Sequence, residues 1–224
     1  MALYRTNGRA GAPPVGLGVA TTRADGTFAT NYDVPTNRRT VVFVTVGRGA
    51  AVRLAAVLGA APVPNRVVIN ERTTVAAGFA LAQFVTRRGI AGKSPGVQNA
   101  AGMATNLADV RTGDAGRVLA RSPNGSDTST WRSFNSLANM LVPCVRSEVR
   151  CAELFRLARP PRGPTPVGTL EAVADQRGRT ACPRRLHSLA QDLAGVRAAG
   201  ARGGRAPRSG PPSGRRARAC SPAS

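Results

Sequence analysis

A chain of 224 residues with 42% hydrophobic side chains has enough apolar surface for one folded body or two small ones, but with 4% aromatics its core must be filled mostly by alanine, valine and leucine. The 32 basic residues against 11 acidic ones leave a net charge of +21, and Lys93 is the only lysine. No run reaches the ~18 apolar residues of a membrane span.

Residues 1–50 read as strands and turns. Residues 15–22 are small and apolar. Arg23-Ala24-Asp25-Gly26 is a turn signal, because Asp-Gly supplies the positive φ of a hairpin. Residues 27–34 alternate, with Phe28 and Tyr32 in the same period-two set, and Pro35 closes that strand. Residues 40–46, Thr-Val-Val-Phe-Val-Thr-Val, are the clearest strand, rich in β-branched side chains. Residues 67–69 are a shorter candidate.

From residue 71 the apolar period becomes helical. Residues 73–85 put Val75, Phe79, Ala82 and Val85 on one face. Ser94 caps a second helix with Pro95 at its first position, striped by Val97, Ala100, Ala101, Ala104 and Leu107. Asp127 caps a third, carrying Trp131, Phe134, Ala138 and Leu141; Trp131 reads as core on that stripe. A fourth runs around Cys151, Leu154, Phe155 and Ala158 and stops before Pro160-Pro161. Thr165-Pro166 opens a fifth, with Leu170 and Val173 inside. Over 176–224 eleven arginines stand against one acid, Asp192, and apolar periodicity fades after about Leu189, so this tail is expected to be disordered.

The chemistry-bearing residues are few. The only histidine, His187, lies in the tail with no acidic partner nearby, so a Ser-His-Asp arrangement has nothing to build on. No Cys-x-x-Cys spacing suggests a metal site, and no acidic pair is spaced for acid/base work. Cys144 and Cys151 fall at the facing ends of the third and fourth helices and are a disulfide candidate; the alternative is two reduced, partly buried thiols. Cys182 and Cys220 have no structural partner. Gly47-Arg48-Gly49-Ala50-Ala51-Val52 follows the best strand and imitates a dinucleotide-binding turn, with Glu71 as the acid, but Val52 replaces the third glycine and the helix over 51–59 is short for a crossover. The competing reading is a strand leaving a sandwich through a glycine turn. The arginine excess likewise has two readings: an acidic partner such as nucleic acid or a membrane surface, or high-GC coding with few acids to offset it, which is preferred.

Thr21-Thr22-Arg23-Ala24-Asp25-Gly26-Thr27-Phe28 resembles the hairpin of bacterial immunoglobulin-like and carboxypeptidase-regulatory-like sandwiches. The run from Val67-Val68-Ile69-Asn70-Glu71 through Arg72-Thr73-Thr74-Val75-Ala76-Ala77 resembles the helical region that follows such a sandwich. Pro95-Gly96-Val97-Gln98-Asn99-Ala100-Ala101, Pro123-Asn124-Gly125, Phe134-Asn135-Ser136-Leu137-Ala138-Asn139 and Cys151-Ala152-Glu153-Leu154-Phe155 continue it. Over about residues 10–175 the chain is similar to the N-terminal region of secreted bacterial proteins that end in an NHL-type, streptogramin-lyase-like β-propeller. The propeller and the export signal of that family are absent from this sequence. The resemblance implies an extracellular or cell-envelope setting, consistent with a bridged cysteine pair, and transfers no active-site residue, since lyase chemistry would sit on the propeller. The opening Met-Ala-Leu-Tyr-Arg-Thr-Asn-Gly has no apolar signal segment, so the chain is expected in the cytoplasm if this start is the genuine one.

The expected architecture is therefore α+β: a partial β-sandwich over 1–70, a small helical bundle over 71–175 and a disordered arginine-rich tail over 176–224. The abrupt change near codon 175 is what a high-GC gene gives in the wrong frame, and the tail is expected to be a frameshift product, with a functional cationic arm as the rival. The expected role is a non-enzymatic scaffold or interaction module of an exported multidomain protein, with no catalytic, cofactor or metal residue. The alternatives are a cationic nucleic-acid binder acting through the tail and a nucleotide-binding enzyme built on Gly47 and Gly49.

Overall fold

The computed structural model describes residues 1–176 apart from 34, 36–38, 49–50 and 161–162. The basic tail, with Cys182, His187 and Cys220, lies outside the described residues, and so does the question of its origin.

The β-branched run forms β3 (Val42–Arg48), paired on one side with β1 (Ala2–Arg5) and on the other with β4 (Ala51–Gly59); β2 (Val15–Val19) pairs with the far side of β1. The sheet is antiparallel in the order β2-β1-β3-β4. Period-two alternation sends Phe43, Ala55 and Val57 to one face and Leu3, Val42, Val44, Ala56 and Leu58 to the other. The first face meets the helices. The second is closed by irregular chain bearing Tyr32, Val63, Val67 and Ile69.

The α+β class and the β-before-helix order hold, and three expectations about the β part are corrected. The β part is one sheet, because coil covers the face that a second sheet would take in a sandwich. The Asp-Gly turn forms, with Gly26 at φ 83° and its N–H donating to the Arg23 carbonyl (3.0 Å), but residues 27–33 do not continue as a strand. Residues 67–69 are coil, tied to the rest by the Val68 N–H on the Val110 carbonyl (2.8 Å). The segment 51–59 is a strand, β4, antiparallel to β3, so no β-α-β unit forms and the nucleotide-binding alternative, which was not the preferred reading of the glycine stretch, loses its frame; residues 49–50 lie outside the described residues.

Helix α1 (Glu71–Ala80) crosses the inner face of the sheet. It ends at Ala80, short of the expected Val85; a 3-10 turn (Ala82–Phe84) and a small hairpin of β5 (Val85–Thr86) and β6 (Gly89–Ile90) follow. Thr73 through Gly78 are all buried, so α1 is covered all round and carries no polar stripe. Its start is a capping box. The Asn70 side chain accepts from the Thr73 N–H (3.0 Å), and the Thr73 hydroxyl accepts from the Asn70 N–H (2.9 Å). Asn70 also donates to the Gly113 carbonyl (2.9 Å). Asn70→Ala is expected to lose about 1–2 kcal/mol in urea unfolding, with Asn70→Asp restoring the cap but not the bond to the Gly113 carbonyl, to which a carboxylate cannot donate; no loss in the alanine variant would mean that the cap contributes nothing.

The same helix seals a sheet edge. As an edge strand, β4 leaves every second backbone group facing away from β3 without a ladder partner. The Thr74 hydroxyl accepts from the Ala55 N–H (2.9 Å), the Thr73 hydroxyl donates to the Ala55 carbonyl (3.0 Å), and the Thr169 hydroxyl donates to the Arg53 carbonyl (2.8 Å). All three threonines are buried. Thr169 opens α6 (Thr169–Gln176), whose Leu170 and Val173 are buried as expected. At Gly78 a Cβ would lie 2.8 Å from the Val173 side chain, so the missing side chain is what lets α6 lie against α1.

Helix α2 (Gly96–Leu107) buries the expected Val97, Ala100, Ala101 and Ala104; Pro95 occupies the cap position itself, and Ser94 bonds the Gln98 side chain rather than the backbone. Helix α4 (Ser129–Arg146) is capped by Thr128, not Asp127: the Thr128 hydroxyl accepts from the Trp131 N–H (3.2 Å). Helix α5 (Glu148–Ala158) ends before the prolines, as expected. Between α2 and α4 lies one short turn of helix, α3 (Arg117–Ala120). Sheet and helices share a single hydrophobic core running from Val41 and Phe43 to Leu170 and Val173.

Candidate functional site

Two features concentrate chemistry: the joint between α4 and α5, and a cleft around α3. At the joint, Ser147 ends one helix and starts the next. Its N–H donates to the Pro143 carbonyl (3.1 Å), and its hydroxyl accepts weakly from the Arg150 N–H (3.5 Å). This one-residue elbow brings Cys144 and Cys151 to a Cα separation of 3.9 Å, and the two are joined in a disulfide whose members are 2% and 1% exposed. Arg53 of β4 lies over it, donating to the Cys144 Sγ (3.6 Å) and pairing with Glu148. The bridge thus sits within the shared core, under an arginine held by the first turn of α5.

The cleft is built from the end of α2. Ala108 leaves the helix in extended conformation, and the chain closes a tight loop. Ala108 bridges Ala115, the Asp109 N–H donates to the Asp114 carbonyl (2.9 Å), the Gly113 N–H to the Asp109 carbonyl (2.8 Å), and the Gly116 N–H to the Leu107 carbonyl (2.8 Å). The Asp109 carboxylate accepts from the Arg111 N–H (2.8 Å), an Asx turn within the loop. Asn70 and an Arg72–Asp114 ion pair (3.1 Å) fasten the loop to the α1 start. Its exit is fixed by a close approach, since a Cβ on Gly116 would stand 2.2 Å from the Asn106 carbonyl oxygen. Neither side of that contact is a movable side chain. Gly116→Ala is expected to cost about 1–3 kcal/mol and to shift the amide resonances of residues 105–117; an unchanged spectrum would refute the close approach.

This frame lines a cleft of about 630 Å³, with Leu58 and Pro64 on the sheet side and Arg111, Arg117 and Arg121 on the other. The three arginines are exposed, and none makes an ion pair or side-chain hydrogen bond among the described residues. Asp109 is the one acid in the lining. A second cleft of about 610 Å³ lies between the Asp-Gly turn and residues 65–69, lined by Phe28, Leu54 and Arg66 among others. Outside both sit two carboxyl groups held below the ordinary carboxylate range: Asp25 by the N–H and hydroxyl of Thr27, and Glu153 by the Arg156 guanidinium. A lowered folded-state pKa favours the folded state above the unfolded value and is lost as the pH falls through the folded one, so these contacts weaken in acid. Asp25 is exposed and Glu153 is half-buried.

Of the residues singled out in the sequence, Cys144 and Cys151 come together. Gly47 lies within β3, one residue before its end, opposite Val52 in the sheet ladder. Trp131 is partly buried against the core, as its stripe suggested. Among the described residues no group of three or more His, Cys, Asp or Glu is placed to hold a metal, and no helix is long and apolar enough to cross a membrane. The arginine cleft escaped the sequence because arginine is everywhere in it; the one local signal was Arg117 and Arg121, four residues apart after a glycine. Comparison of the chain with known protein families, with curated proteins and with solved structures finds no match.

Proposed function

We propose that the chain is a non-enzymatic scaffold or interaction module of an exported or cell-envelope bacterial multidomain protein. The supporting observation is the Cys144–Cys151 disulfide enclosed in the core. Bonds of this kind form and persist in oxidising compartments and are rare where glutathione and thioredoxin keep thiols reduced. The sequence resemblance to the N-terminal region of secreted propeller proteins points the same way. The test is the redox state of the protein in its own cells. Thiols are blocked on lysis, the cells are fractionated, and the mass of the peptide spanning 144–151 is measured. An oxidised pair in an extracytoplasmic fraction supports the reading; an alkylated pair in the cytoplasm overturns it.

The net charge of +21 supports a second reading, a cationic partner of nucleic acid acting through the tail. Any chain this basic adheres to polyanions, so affinity at low salt decides nothing. Binding to a labelled oligonucleotide that persists at physiological salt would favour this reading, and its loss there would remove it.

A further inference from the structure

We infer that the cleft around α3 is a binding site for an organic phosphate monoester with an apolar or aromatic body. The argument starts from where the acids are. Among the described residues, Arg53, Arg72, Arg87 and Arg156 each have a carboxylate partner: Glu148, Asp114, Glu171 and Glu153. Arg111, Arg117 and Arg121 have none; other exposed arginines such as Arg66 and Arg88 share that, but these three line one cleft together. Arg117 opens α3 and Arg121 is the extended residue just past its end, so two like charges flank a single helical turn that is too short to offset repulsion between them by its own hydrogen bonds. An anion between them removes the repulsion.

The charge balance sets the ligand class. Three guanidinium groups against Asp109 leave two positive charges, which a dianionic phosphate monoester matches and a monocarboxylate does not. Guanidinium forks suit phosphate oxygens geometrically. The apolar part of the lining explains why the ligand is more than free phosphate: Leu58 and Pro64 share the lining with the arginines, and Val118, 55% exposed, lies between Arg117 and Arg121 in sequence. The volume falls in the range of small-molecule sites. The frame is already fixed by the Gly116 approach and the Asp109–Asp114 loop, so little ordering is needed on binding.

The test uses the full chain, at constant ionic strength, titrated with phenyl phosphate, inorganic phosphate and benzoate while amide resonances are followed. The expected result is saturable shifts within residues 105–121, tightest for phenyl phosphate, with affinity falling about tenfold or more in Arg117→Gln/Arg121→Gln. Those arginines are exposed, and an unchanged thermal midpoint verifies the fold. Val118→Asp, at an exposed position, is a second variant and is expected to abolish binding. Three results overturn the proposal: shifts absent from 105–121, equal affinity in the arginine variant, or phenyl phosphate binding no tighter than inorganic phosphate, which would leave only a screening effect of a cationic surface. None of these outcomes bears on the cellular compartment, which the redox measurement decides separately.

Discussion

Phe43→Ala is expected to lower the unfolding free energy by about 3–5 kcal/mol. Phe43 is 1% exposed and stacks on Tyr4 of the neighbouring strand, ring centroids 5.5 Å apart. Its ring edge also reaches the hairpin, 3.5 Å from where a Cβ on Gly89 would be. About half of the core cluster that Phe43 belongs to is alanine and valine, which have no long side chain to swing into the space. A cavity left there stays open, and the cost rises with the volume that cannot collapse. Domains of this size hold only about 5–15 kcal/mol in all, so the variant should melt roughly 8–17 °C below the parent. Urea unfolding with an unchanged slope and a lowered midpoint is the expected record. A loss below ~1.5 kcal/mol would mean that Tyr4 and the hairpin close over the gap.

Cys144→Ala comes next in size, and its effect depends on the buffer. Closing the short loop between the two cysteines restricts the unfolded chain by about 2–3 kcal/mol. In oxidising buffer the variant should therefore melt roughly 5–10 °C below the parent. With reductant present the parent loses the same constraint and the two should coincide. An equal gap in both buffers would mean that the sulfur matters for packing in the core and not as a bridge.

The helices legible in the sequence are those with one buried side, whereas β3 is covered on both faces and is legible for another reason. The stripes of α2, α4 and α5 alternate with solvent-facing positions, so their period is visible, and β3 announces itself by β-branched density. Two elements buried on both sides gave a weak signal. Segment 51–59 shows no strand pattern, because Ala55 and Val57 face one layer and Ala56 and Leu58 the other, and no alternation survives. Helix α1 is covered all round, so the apolar residues from Val75 to Val85 looked like one long face when the helix stops at Ala80. The caps were misplaced by one residue at Asp127 and Thr128 because either side chain can cap and only the backbone decides. The cleft was invisible for a different reason: a guanidinium without a partner is defined by where the carboxylates went, which is a property of the fold.

The sealed edge of β4 has a consequence for what happens when the chain is cut. Strand β4 reads Ala-Val-Arg-Leu-Ala-Ala-Val-Leu-Gly, nine residues with a single charge. Such a strand, left open, is a template for pairing with other chains. Its cover comes from α1 and α6, and α6 is joined to the rest only through the stretch that follows Ala158. A protease that nicked this connection would let α6 depart with Thr169, Leu170 and Val173, baring the Arg53 carbonyl. The nicked product would then be a seed for polymer, growing strand upon strand from β4, and sedimenting material rather than a smaller monomer is what limited proteolysis should leave behind.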